Sequence, residues 1–297
     1  MIDRNLGAAL DGRTLWVTGA RGFLGARLVE LAGEHARIVC FPGDVRDEGA
    51  VRSSLLETQP DVVLHLAAPV NVARDPALND LMQAVIVVGS RHVRQAAQDV
   101  ARSKPVRLVQ VGTCEEYGTI PAPFAESDTP SEPVSPYAAA KLAATREALA
   151  EDGPAQIVVA RPFLTYGPGQ RPRQLIPALI DAALAGRDFP MTAGTQTREV
   201  NYVDDTVLGL LRAATVAEPP PLVNIGGGEE LTVLALAQRV VELAGAPDIL
   251  KPGALPTRSG EVPRFCCDPT LARERLGHVP TVSLDEGLAR TIAARRG

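Results

Sequence analysis

The chain has 297 residues, 45% hydrophobic and 22% charged, ordinary values for a globular protein long enough for one large domain or two smaller ones. A net charge of −5, with no Lys/Arg run and no interleaving of aromatic and basic residues, argues against nucleic-acid binding. Met1–Leu10 carries Asp3 and Arg4 and lacks an apolar core, the apolar runs are strand-sized, and four Cys show neither metal spacing nor a disulfide framework; the expectation is a reduced, cytoplasmic protein with no membrane span and no metal.

The first predicted element is an apolar strand, Leu15–Thr18, followed by Gly19-x-x-Gly22-x-x-Gly25 and a helix starting near Phe23, with Leu24, Leu28 and Leu31 on one face. Glycines at such a turn let backbone N–H groups approach a pyrophosphate at the positive end of the helix. Further strands are predicted at "RIVCF", "DVVLHLAA", "VRLVQVGT" and "QIVVARP", with helical patterns between the later ones. Strands alternating with helices imply parallel pairing, hence a Rossmann-type, doubly wound α/β sheet. His65 inside its strand reads as a packed core histidine. Asp47 reads as a helix cap, and so do Asp204 and Asp205.

"SPYAAAK" follows the fourth strand. It puts Tyr137 and Lys141, one of only three lysines, one turn apart on a helix. A neighbouring ammonium favours the phenolate, moving a tyrosine toward a useful acid/base range. After about residue 165 the texture changes to Pro/Gly loops and amphipathic helices, predicting a smaller C-terminal substrate-binding lobe. The expected division is therefore 1–165 for the dinucleotide domain and 166–297 mainly for the lobe, with some later segments returning to the first.

Eight motifs in order, "VTGARGFLG", "GDVRD", "HLAAP", "VGTCEEYG", "SPYAAAK", "RPFLTYGPGQ", "TREVNYVDD" and "TRSGEVPR", resemble the extended short-chain dehydrogenase/reductase family in its sugar-nucleotide epimerase/dehydratase branch. The resemblance implies an NAD(P) cofactor held by Gly19, Arg21, Gly22, Phe23, Leu24, Asp44, Val45, Leu66, Ala67, Ala68 and Pro162, with Tyr137 and Lys141. It implies Tyr137 as acid/base, Lys141 as its partner and ribose holder, Thr113 as substrate-orienting hydroxyl, and Arg198 and Arg258 as clamps on a nucleotide-sugar diphosphate. Cys114 and Glu115 stand where dehydratases of the branch place an acid and a base. The family's usual dimer is a four-helix bundle, and the stripe Ala138, Leu142, Thr145, Leu149, widened by Ala139, Ala143 and Ala150, is the expected contact for a homodimer.

Three departures shape the expected reaction. Leu164 and Ile86 replace asparagines usual in the branch, and "HARIVCFP" is too short for a full second strand, long loop and third strand. No acidic residue stands where NAD-specific proteins hold the ribose 2′-hydroxyl, and Arg21 in the glycine turn points toward NADPH rather than NADH. This compaction is similar to that of reductases of nucleotide-diphospho-4-keto-6-deoxyhexoses, so NAD(P)H-dependent reduction of such a 4-keto group is the expected activity. A sugar-nucleotide 4-epimerase or dehydratase with tightly bound NAD, using Glu115 and Cys114, is the alternative. A non-catalytic NAD(P)-sensing protein is disfavoured because such proteins lose the Tyr/Lys pair.

Overall fold

A short helix, Arg4–Leu10 (α1), capped by the Asp3 carboxylate, leads into the first strand of the computed structural model, Thr14–Thr18 (β1); the structure describes residues 2–257 and 260–296. The chain continues through α2 (Phe23–Ala32), β2 (Arg37–Cys40), α3 (Glu48–Thr58), β3 (Val62–His65), α4 (Asn79–Met82), α5 (Gly89–Ala101), β4 (Arg107–Val111), α6 (Pro136–Leu149) and β5 (Gln156–Pro162). Beyond it come β6 (Thr165–Tyr166), α7 (Leu175–Leu184), β7 (Phe189–Met191), β8 (Thr197–Glu199), β9 (Asn201–Tyr202), α8 (Val203–Thr215) and β10 (Leu222–Ile225). The last elements are β11 (Glu230–Thr232), α9 (Val233–Ala244), β12 (Leu250–Pro252), β13 (Arg264–Phe265), α10 (Thr270–Leu276) and α11 (Leu284–Arg296).

Six strands form one parallel sheet in the order β10-β5-β4-β3-β1-β2. Alternate residues serve opposite faces, as the pleat requires. Leu15, Val17, Leu64, Val109, Val158 and Ala160 join the core cluster that includes Leu28 of α2 and Val207 and Leu211 of α8. Trp16, Val63 and Leu108 face the other way onto Val51 and Leu55 of α3 and Val93 and Ala97 of α5. With both faces covered, the central strands are continuous apolar runs, as the doubly wound reading anticipates.

The short segment before "GDVRD" has its counterpart in the sheet. β2 is the outermost strand, and among the described residues no further strand pairs with it. After it, Phe41 turns inward against Trp16, ring centroids 5.1 Å apart, and Asp47 caps α3 by accepting from the amide of Ala50. Past β5, smaller sheets carry the remaining chain: β11 and β13 flank β8, β12 pairs β7, and β6 pairs β9.

The expected α6 stripe is corrected. Ala138, Leu142 and Thr145 are buried within the chain, whereas Leu149 of the stripe and Ala139 and Ala150 of its widened surface are exposed, beside Arg146. The helix is alanine-rich around most of its circumference, so tertiary packing rather than hydrophobicity decides which side faces inward. Ile86, in a π-helical stretch from Gln83 to Val88, shares a buried cluster with Tyr137, Ala140 and Ala144, taking an apolar role where an asparagine was expected.

Candidate functional site

The carboxyl ends of β1, β3, β4 and β5 open on one cleft, the edge of a doubly wound sheet where ligands bind. At the end of β1, Gly19 has φ +69°, and a Cβ there would lie 2.8 Å from the amide nitrogen of Ala67. Gly25, on the first turn of α2, packs on the Gly19 carbonyl. These contacts explain why the turn takes glycine at both positions, and they leave the amino end of α2 open to the cleft, which Gly19, Gly22, Phe23, Leu24 and Gly25 line.

The strand end opposite is fixed by a buried chain of hydrogen bonds. The Ala67 amide donates to Thr18 Oγ1 (3.0 Å), which lies 2.8 Å from His65 Nδ1, while His65 Nε2 lies 3.0 Å from Ser90 Oγ. Thr18 as donor to Nδ1 assigns the proton to Nε2, and burial pushes the imidazole down to about 3, so the ring is neutral. His65 is a core histidine, as anticipated, and its network holds Leu66–Ala68 beneath the glycine turn; Leu66 and Ala68 line the cleft.

At the end of β4 the chain enters a 3₁₀ turn, Cys114–Tyr117, with Thr113 as its cap. Thr113 Oγ1 accepts from the Glu115 amide (3.3 Å), and the Thr113 amide donates to Glu116 Oε1 (2.9 Å). Thr113, Cys114 and Glu115 line the cleft together with Tyr137 and Lys141 of α6, whose amino end is capped by Ser135 Oγ accepting from the Ala138 amide. Pro162 lines it from β5 and Arg198 from β8.

The electrostatics of this group differ in one respect from the expectation. Tyr137 is almost fully buried, and burial pushes its hydroxyl up, with Cys114, Glu116 and Glu115 adding to the shift and a hydrogen bond with Thr113 opposing it. Lys141 is buried as well. Its Nζ donates to the Val111 carbonyl (2.5 Å), and burial brings it down to about 8 while Glu116 acts the other way. One of the lysine's three donors is thus engaged at the strand end, and its charge does not offset the burial of the tyrosine. Burial raises the Glu115 carboxyl, Arg198 opposing, and pushes the Cys114 thiol well up.

Other expected site residues fall elsewhere. Arg21 is exposed and lines a second cavity with Ala26, Arg27, Glu30 and Tyr202, rather than the main cleft. The Asp44 carboxylate is exposed and engaged by the Arg46 guanidinium and amide, while Val45 is buried against Gly89 of α5. Arg198 Nη1 donates to the carbonyls of Thr197 (2.7 Å) and Val262 (3.0 Å) and Nη2 pairs with Glu261, so the fork already has partners. Arg258 lies outside the described residues. Asp204 binds Arg27 through both oxygens, and Asp205 accepts from Thr281 and Val282, so both are structural.

The cleft also uses residues the sequence did not single out. Gln170, Arg171 and Gln174 line its outer part, and their Pro/Gly-rich loop gave only a composition signal. Leu164, which the sequence did single out as standing for an asparagine, lines it too, and its carbonyl accepts from the Asn201 amide (2.8 Å). Among the described residues no group of three or more His, Cys, Asp or Glu is placed to hold a metal, and no helix is long and apolar enough to cross a membrane.

Residues 15–226 match the NAD dependent epimerase/dehydratase family. A UDP-glucose 4-epimerase of Mycolicibacterium smegmatis is 33% identical over 94% of this chain and 97% of its own. A dTDP-glucose 4,6-dehydratase of an Actinoplanes species is 32% identical over 91% of this chain and 84% of its own. The crystal structure of the dTDP-glucose 4,6-dehydratase of Streptomyces venezuelae, with NAD bound, superposes with a TM-score of 0.83 at 29% identity, covering 95% of this chain and 97% of that one. The chain belongs to this family of NAD-dependent epimerases and dehydratases, within the extended short-chain dehydrogenases/reductases.

The relatives overturn the 4-ketoreductase expectation, because they are named for epimerisation and dehydration. Two of the features that suggested a reductase lie away from the Thr113–Tyr137–Lys141 group, although Leu164 lines the cleft. The compaction shapes the β2 edge of the sheet, and Arg21 lines a different cavity.

Proposed function

We propose that the chain retains NAD and interconverts the C4 epimers of a nucleoside-diphosphate hexose, with residues 1–165 holding NAD and residues 166–297 mainly holding the sugar nucleotide. One observation carries the reading: the Gly19–Gly25 turn and the Thr113–Tyr137–Lys141 group open on a single cleft. The residues fit a dinucleotide, since the glycine turn is a cradle that Cβ atoms would fill and the amino end of α2 faces into it.

When bound, NAD supplies a hydride acceptor and a positive charge at its nicotinamide. Such a charge beside Tyr137 would favour its phenolate, against the effect of burial. Tyr137 takes the proton of the C4 hydroxyl as the C4–H bond breaks, Thr113 orients the same oxygen, and Lys141 holds the nicotinamide ribose. The 4-keto sugar would turn in the cleft to present the opposite face of C4 to the bound cofactor's hydride, and Tyr137 would give its proton back to the oxygen. No reducing equivalent is gained or lost. Arg171 and Gln174, which line the cleft, would hold the diphosphate, and Arg198 on β8 would join them on exchanging its Glu261 partner for phosphate.

A second reading, 4,6-dehydration, rests on Glu115. Its raised carboxyl lines the cleft beside Cys114, and dehydration needs groups to remove the C5 proton and protonate the departing C6 hydroxyl. The thiol's high pKa makes it a poor proton donor, which favours epimerisation. The test is to denature the purified protein, assay released NAD, and follow UDP-glucose and dTDP-glucose by NMR without added cofactor. A C4 epimer with no net change in NADH absorbance is the expected result. A 4-keto-6-deoxy product abolished by Glu115→Gln would install the second reading, and obligatory consumption of added NADH would defeat both.

A further inference from the structure

"TCEEY" contains two adjacent glutamates, and the 3₁₀ turn sends them to different places. Glu115 reaches the cleft, whereas the Glu116 side chain is fully buried beneath it. Glu116 Oε1 accepts from the Thr113 amide (2.9 Å) and Oε2 from Arg161 Nε on β5 (2.8 Å). The Arg161 guanidinium is itself buried, stacked 4.5 Å from the centroid of the Tyr117 ring, whose hydroxyl donates to Asn224 Oδ1 on β10 (2.8 Å). Its Nη1 has no hydrogen-bond partner among the described residues. Gly112 is part of the arrangement, because a Cβ there would fall 2.5 Å from Glu116 Oε1 and 3.2 Å from Arg161 Cγ.

A carboxylate needs a strong reason to be taken fully out of water. Arg161 balances its charge, but an apolar pair would fill the same space without cost to the fold. What an apolar pair could not do is grip the amide of Thr113. We propose that Glu116 is a positioning residue for the reacting centre: its carboxylate, anchored by Arg161, fixes the Thr113 backbone so that the threonine hydroxyl faces Tyr137, and it sets a negative charge close to Lys141. The proposal rests on the assignment of Thr113, Tyr137 and Lys141 above.

Lys141 is faced by the Val111 carbonyl from β4, by Tyr137 from its own helix, by neutral His65 from β3 and by Glu116 from the turn. Glu116 is the anion that acts on its ammonium. The carboxylate therefore sustains the charged lysine in a buried place, and it does so without touching substrate.

The chain has three lysines, Lys104, Lys141 and Lys251, so ¹³C-lysine labelling gives three resolvable Cε signals, and Lys141→Arg assigns the one that matters. In the wild type the Lys141 signal should titrate near about 8. In Glu116→Gln the midpoint should fall by about one unit or more, as expected on losing an adjacent opposite charge. kcat should drop about tenfold or more with KM little changed, the mark of lost orientation, and Glu116→Asp should recover part of both. An unchanged Lys141 midpoint together with an unchanged kcat in Glu116→Gln overturns the proposal. Because the titration needs no substrate, a shifted midpoint in a chain that never alters a sugar nucleotide would support the placement of charge and reject the epimerase reading instead. If Glu116→Gln does not fold, hydrogen exchange on the wild type decides: a protected Thr113 amide supports the grip by Glu116, and an amide exchanging at the rate of open loops overturns it.

Discussion

The Cβ that an alanine would bring to position 25 falls 2.1 Å from the carbonyl oxygen of Gly19, closer than any two such atoms can stand. The first turn of α2 is thus laid directly on the glycine turn, and the clash is with backbone that cannot rotate away. Gly25→Ala is expected to lose NAD retention and to lower the melting temperature, with a cost of roughly 1–3 kcal/mol as for overpacked cores. Nucleotide released on denaturation, compared with the wild type, checks it. Full NAD content in the variant would show that the turn does not hold the cofactor.

Tyr137→Phe removes one oxygen from a buried ring and leaves its packing with Ile86, Ala140 and Ala144 in place. NAD content should stay near wild type while turnover falls about 10²- to 10⁴-fold, the range for a lost acid/base. Single-turnover kinetics with UDP-glucose measure it. A tenth of wild-type activity surviving in the variant would remove Tyr137 from the chemistry.

Two buried histidines set a pH dependence of stability. Burial pushes His65 down to about 3 and His278 down to about 4, with nearby Lys141 and Arg94 assisting at the first and Arg212 at the second. In the unfolded chain both titrate near ~6.5. Between those values the unfolded state binds more protons, so the stability the neutral rings contribute is complete above about 6.5 and is lost as pH falls toward 4 and then 3. Each ring should cost about 1.4 kcal/mol per unit of pH in that window. Urea midpoints from pH 7.5 to 5 measure the slope, and His278→Leu should flatten it; an identical slope in variant and wild type would exclude His278 as a source.

The exposed surface of α5 and α6 sets the expectation for self-association. With Ala138, Leu142 and Thr145 turned inward, the apolar contact left on α6 is Ala139 and Leu149, beside Arg146 and the Arg91–Glu147 ion pair that ties α5 to α6. Such a surface supports a dimer that is weak and sensitive to salt. Light scattering should return masses falling from twice the 31.3 kDa chain toward one chain as concentration drops through the micromolar range. A mass fixed at twice the chain mass down to nanomolar protein would show a larger interface than these residues offer.

The parts of the site legible in the sequence are those that a few consecutive residues determine. A turn that must pass close to another strand needs glycine, and Tyr137 and Lys141 share a helix face by spacing alone. The strand alternation, the Asp47 cap and the missing edge strand likewise follow from local pattern or from length. Illegible were the features set by distant packing. Adjacent glutamates look alike in a string, and only the rotation of a 3₁₀ turn separates Glu115 from Glu116. Arg198 was expected as a diphosphate clamp by resemblance, and nothing near it in sequence marks Glu261, far along the chain, as the partner of its guanidinium. The α6 stripe was right only at Leu149 and at Ala139 and Ala150 of its widened surface, because alanine does not mark a face. The reaction type was misread because compaction at β2 lies at the edge of the sheet, remote from Tyr137.

The place of β10 beside β5 has a consequence for synthesis. A ribosome that has released residue 165 has delivered five strands of the sheet, yet β5 still lacks the neighbour whose Leu222–Ile225 pair with Val159–Pro162. Until that strand emerges, β5 presents an open row of amides and carbonyls between two apolar faces, the kind of edge on which chains aggregate. The Tyr117 hydroxyl also waits for Asn224 on the same strand. A nascent chain therefore completes its central sheet some sixty residues after the last cleft-lining strand end of the first half has been made.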